Sequence, residues 1–304
     1  MGRIIRYASC LLLLLEAYCL PSSSHAQTII NDPQTLSARN LSERWELDSA
    51  TRLGVLRLTY YKPFYVTAGR WSSNPNTQPT SLNPNYSVPD PVDYNQYEAK
   101  FQLSFKTKLL QTIFWGYGDL WMGYTQRAHW QIYNTNVSRP FRELNYEPEL
   151  ILNFPINVKI AGFRARTLGV AFNHQSNGRS LPRSRSWNRI MFHLGLERPH
   201  WMIVIRPWIR LPDEDDENPL ITDYIGRGEL TLAYGAGRHQ LYLVATHPLR
   251  TSLLNRGSAQ LNWVFPIKGQ VRIQLQGSTG YGETLIDYNH RQTTLGVGVS
   301  FIDW

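Results

Sequence analysis

The chain has 304 residues, a formal charge of +8 at neutral pH, 12% aromatic residues and two cysteines. Both cysteines, Cys10 and Cys19, stand near the start, which excludes a disulfide framework for the rest of the chain. Beyond the leader no segment has 18 uninterrupted apolar residues, which excludes spanning helices.

Residues 1–26 read as a secretory signal. Arg3 and Arg6 give the positive start, Leu11 to Leu15 the apolar core, and Ser24-His25-Ala26 a small-x-small cleavage site before Gln27. The apolar stretch, interrupted at Glu16, is far short of the roughly 20 residues that a spanning helix needs. Glu16 also occupies the position three before Cys19, where a lipid-anchored N-terminus would need a Leu. Residues 27–304 are then expected to be one domain that starts with a short periplasmic segment. A basic chain can bind nucleic acid or an anionic surface. Export sets nucleic acid aside and favours a membrane or envelope partner.

Trp71 to Asn95 is rich in Ser, Asn, Pro and Tyr and reads as a long loop. The remainder alternates with period two. Phe101, Leu103 and Phe105 alternate with Gln102 and Ser104, and Leu150, Leu152, Phe154, Ile156 and Val158 alternate with Asn153 and Asn157. Near the end, Val271, Ile273 and Leu275 alternate with Arg272, Gln274 and Gln276. Twelve strands are expected, over 60–69, 98–107, 118–133, 147–158, 163–176, 185–198, 200–210, 226–235, 238–248, 257–266, 269–279 and 291–302. One apolar face and one small or polar face is the pattern of an outer-membrane barrel, with lipid outside and a polar lumen. The aromatic content suits interfacial girdles, although a soluble β-sandwich has similar composition. The expected fold is therefore all-β, a twelve-stranded antiparallel transmembrane β-barrel in a bacterial outer membrane. Inward-facing Arg166, Arg189, Glu197 and Arg272 would fill it, and the short turn from Arg198 to Trp201 would be periplasmic. Trp304 is aromatic, as at many barrel termini, but out of phase with Val297, Val299 and Phe301.

Within this pattern one apolar stripe carries polar residues. Leu168, Val170 and Phe172 lead at a spacing of two to His174 and Ser176, and Asn188 leads in the same way to Ile190, Phe192, Leu194 and Leu196. Strand side chains alternate between faces, so all three polar residues fall on the lipid side. A hairpin centred near Leu181 would set His174 opposite Asn188 and Ser176 opposite Ser186, about 4.5–5.5 Å apart. Ser176 could then attack an ester carbonyl, with His174 as base and Asn188 holding the imidazole. Backbone N–H groups of Ser176 and Gly178 are the candidate oxyanion donors, since Asn177-Gly178 can reach positive φ. Each part has a plainer reading. His-x-Ser pairs are common, Asn-Gly is first a turn former, and arginines of the 179–189 stretch would form a solvated rim on anionic headgroups or lipopolysaccharide.

Asn173-His174-x-Ser176-Asn177-Gly178-Arg179-Ser180 and Ser184-Arg185-Ser186-Trp187-Asn188-Arg189 resemble the outer-membrane phospholipase A family. Tyr124-Thr125-Gln126, Pro140-Phe141-Arg142-Glu143, Asn145-Tyr146-Glu147-Pro148, Lys100 to Ser104, Gly280-Tyr281-Gly282-Glu283 and Leu285 to Asn289 extend the resemblance from about residue 98 to the end. The first 70 residues after the leader match poorly. The resemblance implies a twelve-stranded barrel with a Ser-His-Asn triad on its outer surface, hydrolysing acyl esters of phospholipids and lysophospholipids as a phospholipase A1 and A2. Ser176 becomes the nucleophile, His174 the base and Asn188 the orienter. It also implies a calcium-dependent homodimer. One Ca²⁺ per active site would lie between subunits, held by the Arg179 carbonyl, the Ser184 hydroxyl and Ser138 of the partner subunit, with Gln126 at the dimer interface. Two departures bear on calcium: Arg139 replaces a small residue beside Ser138, and Asn134 to Val137 contains no acid. The acidic run Asp213 to Glu217 is either a solvated face or a second calcium site. Two non-enzymatic readings compete: a pore or structural barrel, and an envelope protein that binds lipopolysaccharide through its basic rim.

Overall fold

The period-two alternation closes one antiparallel sheet on itself. This computed structural model describes residues 40–250, 256–268, 271–302 and 304; the expected signal, residues 1–26, lies outside them. The strands are β1 Leu58–Tyr60, β2 Phe64–Ser72, β3 Tyr97–Leu110, β4 Asp119–Trp130, β5 Phe141–Ile160, β6 Phe163–Ser176, β7 Ser186–Arg198, β8 Trp201–Arg210, β9 Gly228–Ala236, β10 His239–His247, β11 Ser258–Lys268, β12 Val271–Tyr281 and β13 Arg291–Ile302. Each strand from β2 to β13 pairs with the next, and β13 closes on β2, giving a ring of twelve. The short β1 lies on the same side of β3 as β2, with Leu58 opposite Thr107 and Tyr65 opposite Gln102.

The expected strand 60–69 is thus broken at Tyr61-Lys62-Pro63. Pro63 cannot donate to a ladder. Tyr61 and Lys62 instead reach inward, the Tyr61 hydroxyl donating to Glu149 at 3.1 Å and the Lys62 ammonium to Glu147 at 3.2 Å. Strand β5 starts six residues before the expected 147, because its first residues are charged. Arg142, Glu143 and Asn145 are buried; inside a barrel a charged residue can continue a strand. The two-residue turn Ala161-Gly162 has both φ values positive, at 49° and 81°, as a tight type I′ hairpin requires. It lies at the end with the short connections, as does the turn between Arg198 and Trp201, while the long loops 73–96, 177–185 and 211–227 gather at the other end. That asymmetry sets short turns on the periplasmic side and loops outside.

The lumen is filled with ion pairs. Glu98 accepts from Arg70 at 2.6 Å, Arg142 at 2.8 Å and the His129 ring at 2.8 Å. Arg142 also reaches Asp287 at 2.8 Å, and Lys100 reaches Glu283 at 2.8 Å. A second group joins Glu147 to Lys62 and Arg189, and Glu149 to Arg206. Buried charge is costly unless paired and hydrogen-bonded, so these partners must form together. A cavity of about 130 Å³ remains among Lys62, Lys100, Arg189 and Glu283.

The periplasmic mouth is plugged by α1, Leu41–Trp45, and the residues after it. The Leu41 N–H donates to Glu197 at 2.7 Å, Lys108 pairs with Glu46 at 2.9 Å, and Arg166 pairs with Asp48 at 2.7 Å. The Trp45 ring stacks on His193 with centroids 5.5 Å apart. The out-of-phase Trp304 is explained here. Its ring lies 4.7 Å from the Arg44 guanidinium, packed with the inner cluster rather than the lipid stripe. Outside, Leu103, Met122, Leu150, Leu168, Phe172, Phe192, Leu261 and Leu295 are all exposed. Such a continuous apolar belt is stable only against lipid, and the protein is an outer-membrane β-barrel.

Candidate active site

β6 and β7 pair in the expected register, with His174 opposite Asn188 and Ser176 opposite Ser186. The His174 Nδ1 and Asn188 Oδ1 atoms are 2.8 Å apart. An amide oxygen can only accept, so Nδ1 carries the hydrogen and Nε2 is left as the proton acceptor. Ser176, two residues along on the same face, lies between Tyr146 of β5 and Ser186 of β7. All three polar residues are half-buried, and Phe172 on the same stripe is exposed. Tyr146 in turn faces Gln126 of β4, which faces Leu103 of β3. Gln126, Tyr146, Ser176 and Ser186 therefore form one row across the outer surface. The Gln126 amide oxygen accepts from the Tyr124 hydroxyl at 3.2 Å.

The strand ends at Ser176 because Asn177 turns inward as a clamp. Its amide nitrogen donates to Glu143 at 3.1 Å and to the Arg183 carbonyl at 2.7 Å, and its oxygen accepts from the Arg179 and Arg185 N–H groups at 3.3 and 3.0 Å. Gly178 follows with φ of 62°, and a Cβ there would lie 3.1 Å from the Tyr146 ring. Its N–H makes no hydrogen bond among the described residues, so it remains available to an oxyanion. Ser176 still sits in the ladder, which makes its N–H the less free of the two expected donors.

The Arg179 side chain is committed to the Phe141 and Arg142 carbonyls at 2.7 and 3.0 Å, and its own carbonyl has no donor among the described residues. The Ser184 hydroxyl donates to Glu217 at 2.6 Å, and the second Glu217 carboxylate oxygen is buried without a partner. A carbonyl, a hydroxyl and a carboxylate oxygen are the donors a hard cation prefers, so the chemistry of these residues suits calcium. Ser138 is exposed in the loop 131–140 with φ of 61°, and no hydrogen bond joins it to Arg179 or Ser184 among the described residues.

The plainer readings of the outer loops hold only in part. The arginines of 179–189 are not a uniform solvated rim. Arg185 is fully buried and donates to the Tyr86 carbonyl at 2.6 Å, while Arg189 lies in the lumen, as its inward phase predicts, and donates to Asn173 at 2.6 Å. The acidic run is not simply solvated either. Asp215 accepts from the Tyr86 hydroxyl, Asp216 from Arg210, and Glu217 from Ser184. The Asp215 acceptor pushes the Tyr86 hydroxyl up to about 12. Among the described residues no three His, Cys, Asp or Glu side chains converge as a metal cluster. Loop 73–96 thereby straps across the outer end to loops 177–185 and 211–227. It also reaches Asp287 through Asn76 at 2.9 Å. Burial raises the Asp287 carboxyl, but the Arg142 guanidinium outweighs it and holds the group below the ordinary range.

Sequence reasoning passed over Asn177, Glu143, Tyr146 and Glu217 as working parts. Asn177 had a signal, a polar residue in the inward phase directly after a candidate nucleophile. Glu217 had none beyond its place in an acidic run.

A phospholipase A1 family model matches residues 41–301. Phospholipase A1 of Escherichia coli strain K12 is 42% identical over 206 residues, which cover 68% of this chain and 70% of that protein. Phospholipase A1 of Klebsiella pneumoniae is 41% identical over 206 residues, covering 68% and 71%. Among solved structures, the outer membrane phospholipase A of Escherichia coli aligns with a TM-score of 0.73 and 34% identity, over 83% of this chain and 94% of that one. The Salmonella typhi outer membrane phospholipase dimer with bound calcium aligns with a TM-score of 0.74 and 34% identity, over 86% and 98%.

Proposed function

We propose, for a chain that belongs to the outer-membrane phospholipase A family, calcium-dependent hydrolysis of phospholipid and lysophospholipid acyl esters by Ser176, His174 and Asn188. The observation that carries this reading is the 2.8 Å contact between His174 and Asn188 on the outer, apolar face, one strand step from Ser176. A lipid acyl chain lying along Phe172 and Leu168 would bring its ester to that position without leaving the membrane.

Ser176 Oγ attacks the ester carbonyl while His174 Nε2 takes its proton. The ester C–O bond breaks, and His174 returns the proton to the leaving lysolipid alcohol. Water then repeats the sequence on the acyl-serine and releases the fatty acid. Asn188 keeps Nδ1 as the donor throughout; being neutral, it stabilises the imidazolium less than a carboxylate would. The Gly178 N–H would donate to the developing oxyanion, more readily than that of Ser176, which sits in the ladder. Bound calcium would add positive charge there, held by Arg179, Ser184 and Ser138 of the partner subunit, with Glu217 fixing the Ser184 hydroxyl. Pairing across the Gln126 row would bring Ser138 of the partner subunit to the site, and a monomer would stay restrained. Residues 1–26 would be removed on export. The filled lumen and its α1 plug give the pore reading no support.

The test is fatty-acid release from phospholipid in detergent micelles. The expected result is steady release with calcium and a loss of about 100-fold or more on chelation, the scale of removing an oxyanion stabiliser. Equal rates with and without chelator would remove calcium from the mechanism.

A further inference from the structure

Beside the triad, the strap formed by loop 73–96 and the β6–β7 loop enclose a depression of about 640 Å³. That is within the roughly 300–1,000 Å³ of small-molecule sites. One wall is Val88 to Val92, the other Gly178 to Arg183. The first wall is held by backbone bonds, Val88 N–H to the Pro79 carbonyl at 2.9 Å and Val92 N–H to the Thr77 carbonyl at 2.8 Å, which flank the exposed Asp90. The second folds back on itself, with the Arg183 N–H donating to the Ser180 carbonyl at 3.0 Å. Its Arg183 carbonyl is tied at 2.7 Å to Asn177, the residue after Ser176. The depression therefore begins at Gly178, two residues from the proposed nucleophile.

Its charges are unusual for their lack of partners. Arg179 is spent on the Phe141 and Arg142 carbonyls and on Glu143. Arg183 and Asp90 both line the depression, yet neither side chain makes a hydrogen bond or ion pair among the described residues. One uncommitted cation and one uncommitted anion, in a depression also lined by Val88, Val92 and Leu181, match a ligand that carries both charges. The geometry points to a headgroup subsite for a zwitterionic phosphoethanolamine: Arg183 takes the phosphate and Asp90 the ammonium. A guanidinium donates in a planar fork to phosphate oxygens, and an ammonium is a compact donor suited to a carboxylate. This rests on the esterase reading for its orientation. A substrate ester at Ser176 and Gly178 would extend its phosphate into the depression. An anionic glycerol-phosphate headgroup would satisfy Arg183 but meet Asp90 as a like charge.

The test uses binding rather than turnover. Ether-linked lysolipids, which cannot be hydrolysed, are titrated onto the full chain in neutral detergent, one with a phosphoethanolamine and one with a phosphoglycerol headgroup. The wild type is expected to bind the phosphoethanolamine lipid about three- to fivefold more tightly, the scale of one exposed charge pair. Asp90→Ala should abolish the preference, Asp90→Lys should invert it, and Arg183→Ala should weaken both lipids. Free phosphorylethanolamine at millimolar concentration should displace the bound lipid if the headgroup alone is read; displacement only by intact lipid would assign the preference to the acyl surface and overturn the subsite. Equal affinities in the wild type, or a preference untouched by Asp90→Lys, would also overturn it, as would binding of lipopolysaccharide but neither lysolipid. Loss of all esterase activity with headgroup discrimination intact would refute the esterase and leave the subsite standing. Hydrolysis without discrimination would refute the subsite alone.

Discussion

Ser176→Ala is expected to lower fatty-acid release by about ten-thousand-fold or more, with the barrel intact. Removing one member of an activated-nucleophile set costs nearly as much as removing all of it, because the parts act as a unit. His174→Ala should therefore fall to a similar level, and the double variant Ser176→Ala with His174→Ala should be no worse than either alone. Asn188→Ala should lose less, about 10- to 100-fold. It removes one hydrogen bond to a charged ring, on the order of 1.5–3 kcal/mol, and each 1.4 kcal/mol is about tenfold. Rates in calcium-containing micelles, with the heat-modified gel mobility of each variant as a control for folding, check this order. An additive double variant would mean that Ser176 and His174 do not act on the same proton.

Glu98→Ala carries the largest expected loss of stability. Glu98 accepts from Arg70, Arg142 and the His129 ring in a lumen where its own exposure is 2%. Deleting one partner of a buried ion pair leaves uncompensated charge and costs about 3–5 kcal/mol. Here two guanidinium groups lose an acceptor at once, although Arg142 keeps Asp287 and Arg70 keeps a contact to Gln292. Denaturant unfolding in micelles should show a large drop in midpoint, and the heat-modified gel shift should occur at lower temperature. A midpoint shifted by less than about 1 kcal/mol in ΔG would mean that water in the lumen replaces the carboxylate.

The barrel was legible because its signal is local. Leu168 to Phe172 and Ile190 to Leu196 state their face at every second residue, and a lipid-facing stripe cannot be anything else in a strand of that length. The hairpin register followed from the same alternation, which is why His174 met Asn188 as expected. The break at Tyr61-Lys62-Pro63 was not legible. It depends on Glu147 and Glu149, more than 80 residues later, drawing Lys62 and Tyr61 inward. The early start of β5 was hidden because Arg142, Glu143 and Asn145 look like loop residues until a closed lumen supplies their partners. Periodicity set Trp304 out of phase with the lipid stripe, but its partner was hidden for a similar reason, since Arg44 comes to it from the other end of the chain. In the candidate site, the His174–Asn188 contact is a same-hairpin feature and could be read. The strap of loop 73–96 over Arg185, and the bond from Ser184 to Glu217, are contacts between loops with no periodicity to announce them.

Covalent labelling with a sulfonyl fluoride, followed by mass spectrometry of the modified peptide, tests the central claim most directly. A single adduct on Ser176 is expected, formed faster with calcium than with chelator and lost in His174→Ala. Adduct formation on another residue that abolishes hydrolysis, or full hydrolysis by protein with Ser176 completely labelled, would contradict the assignment of Ser176 as the nucleophile.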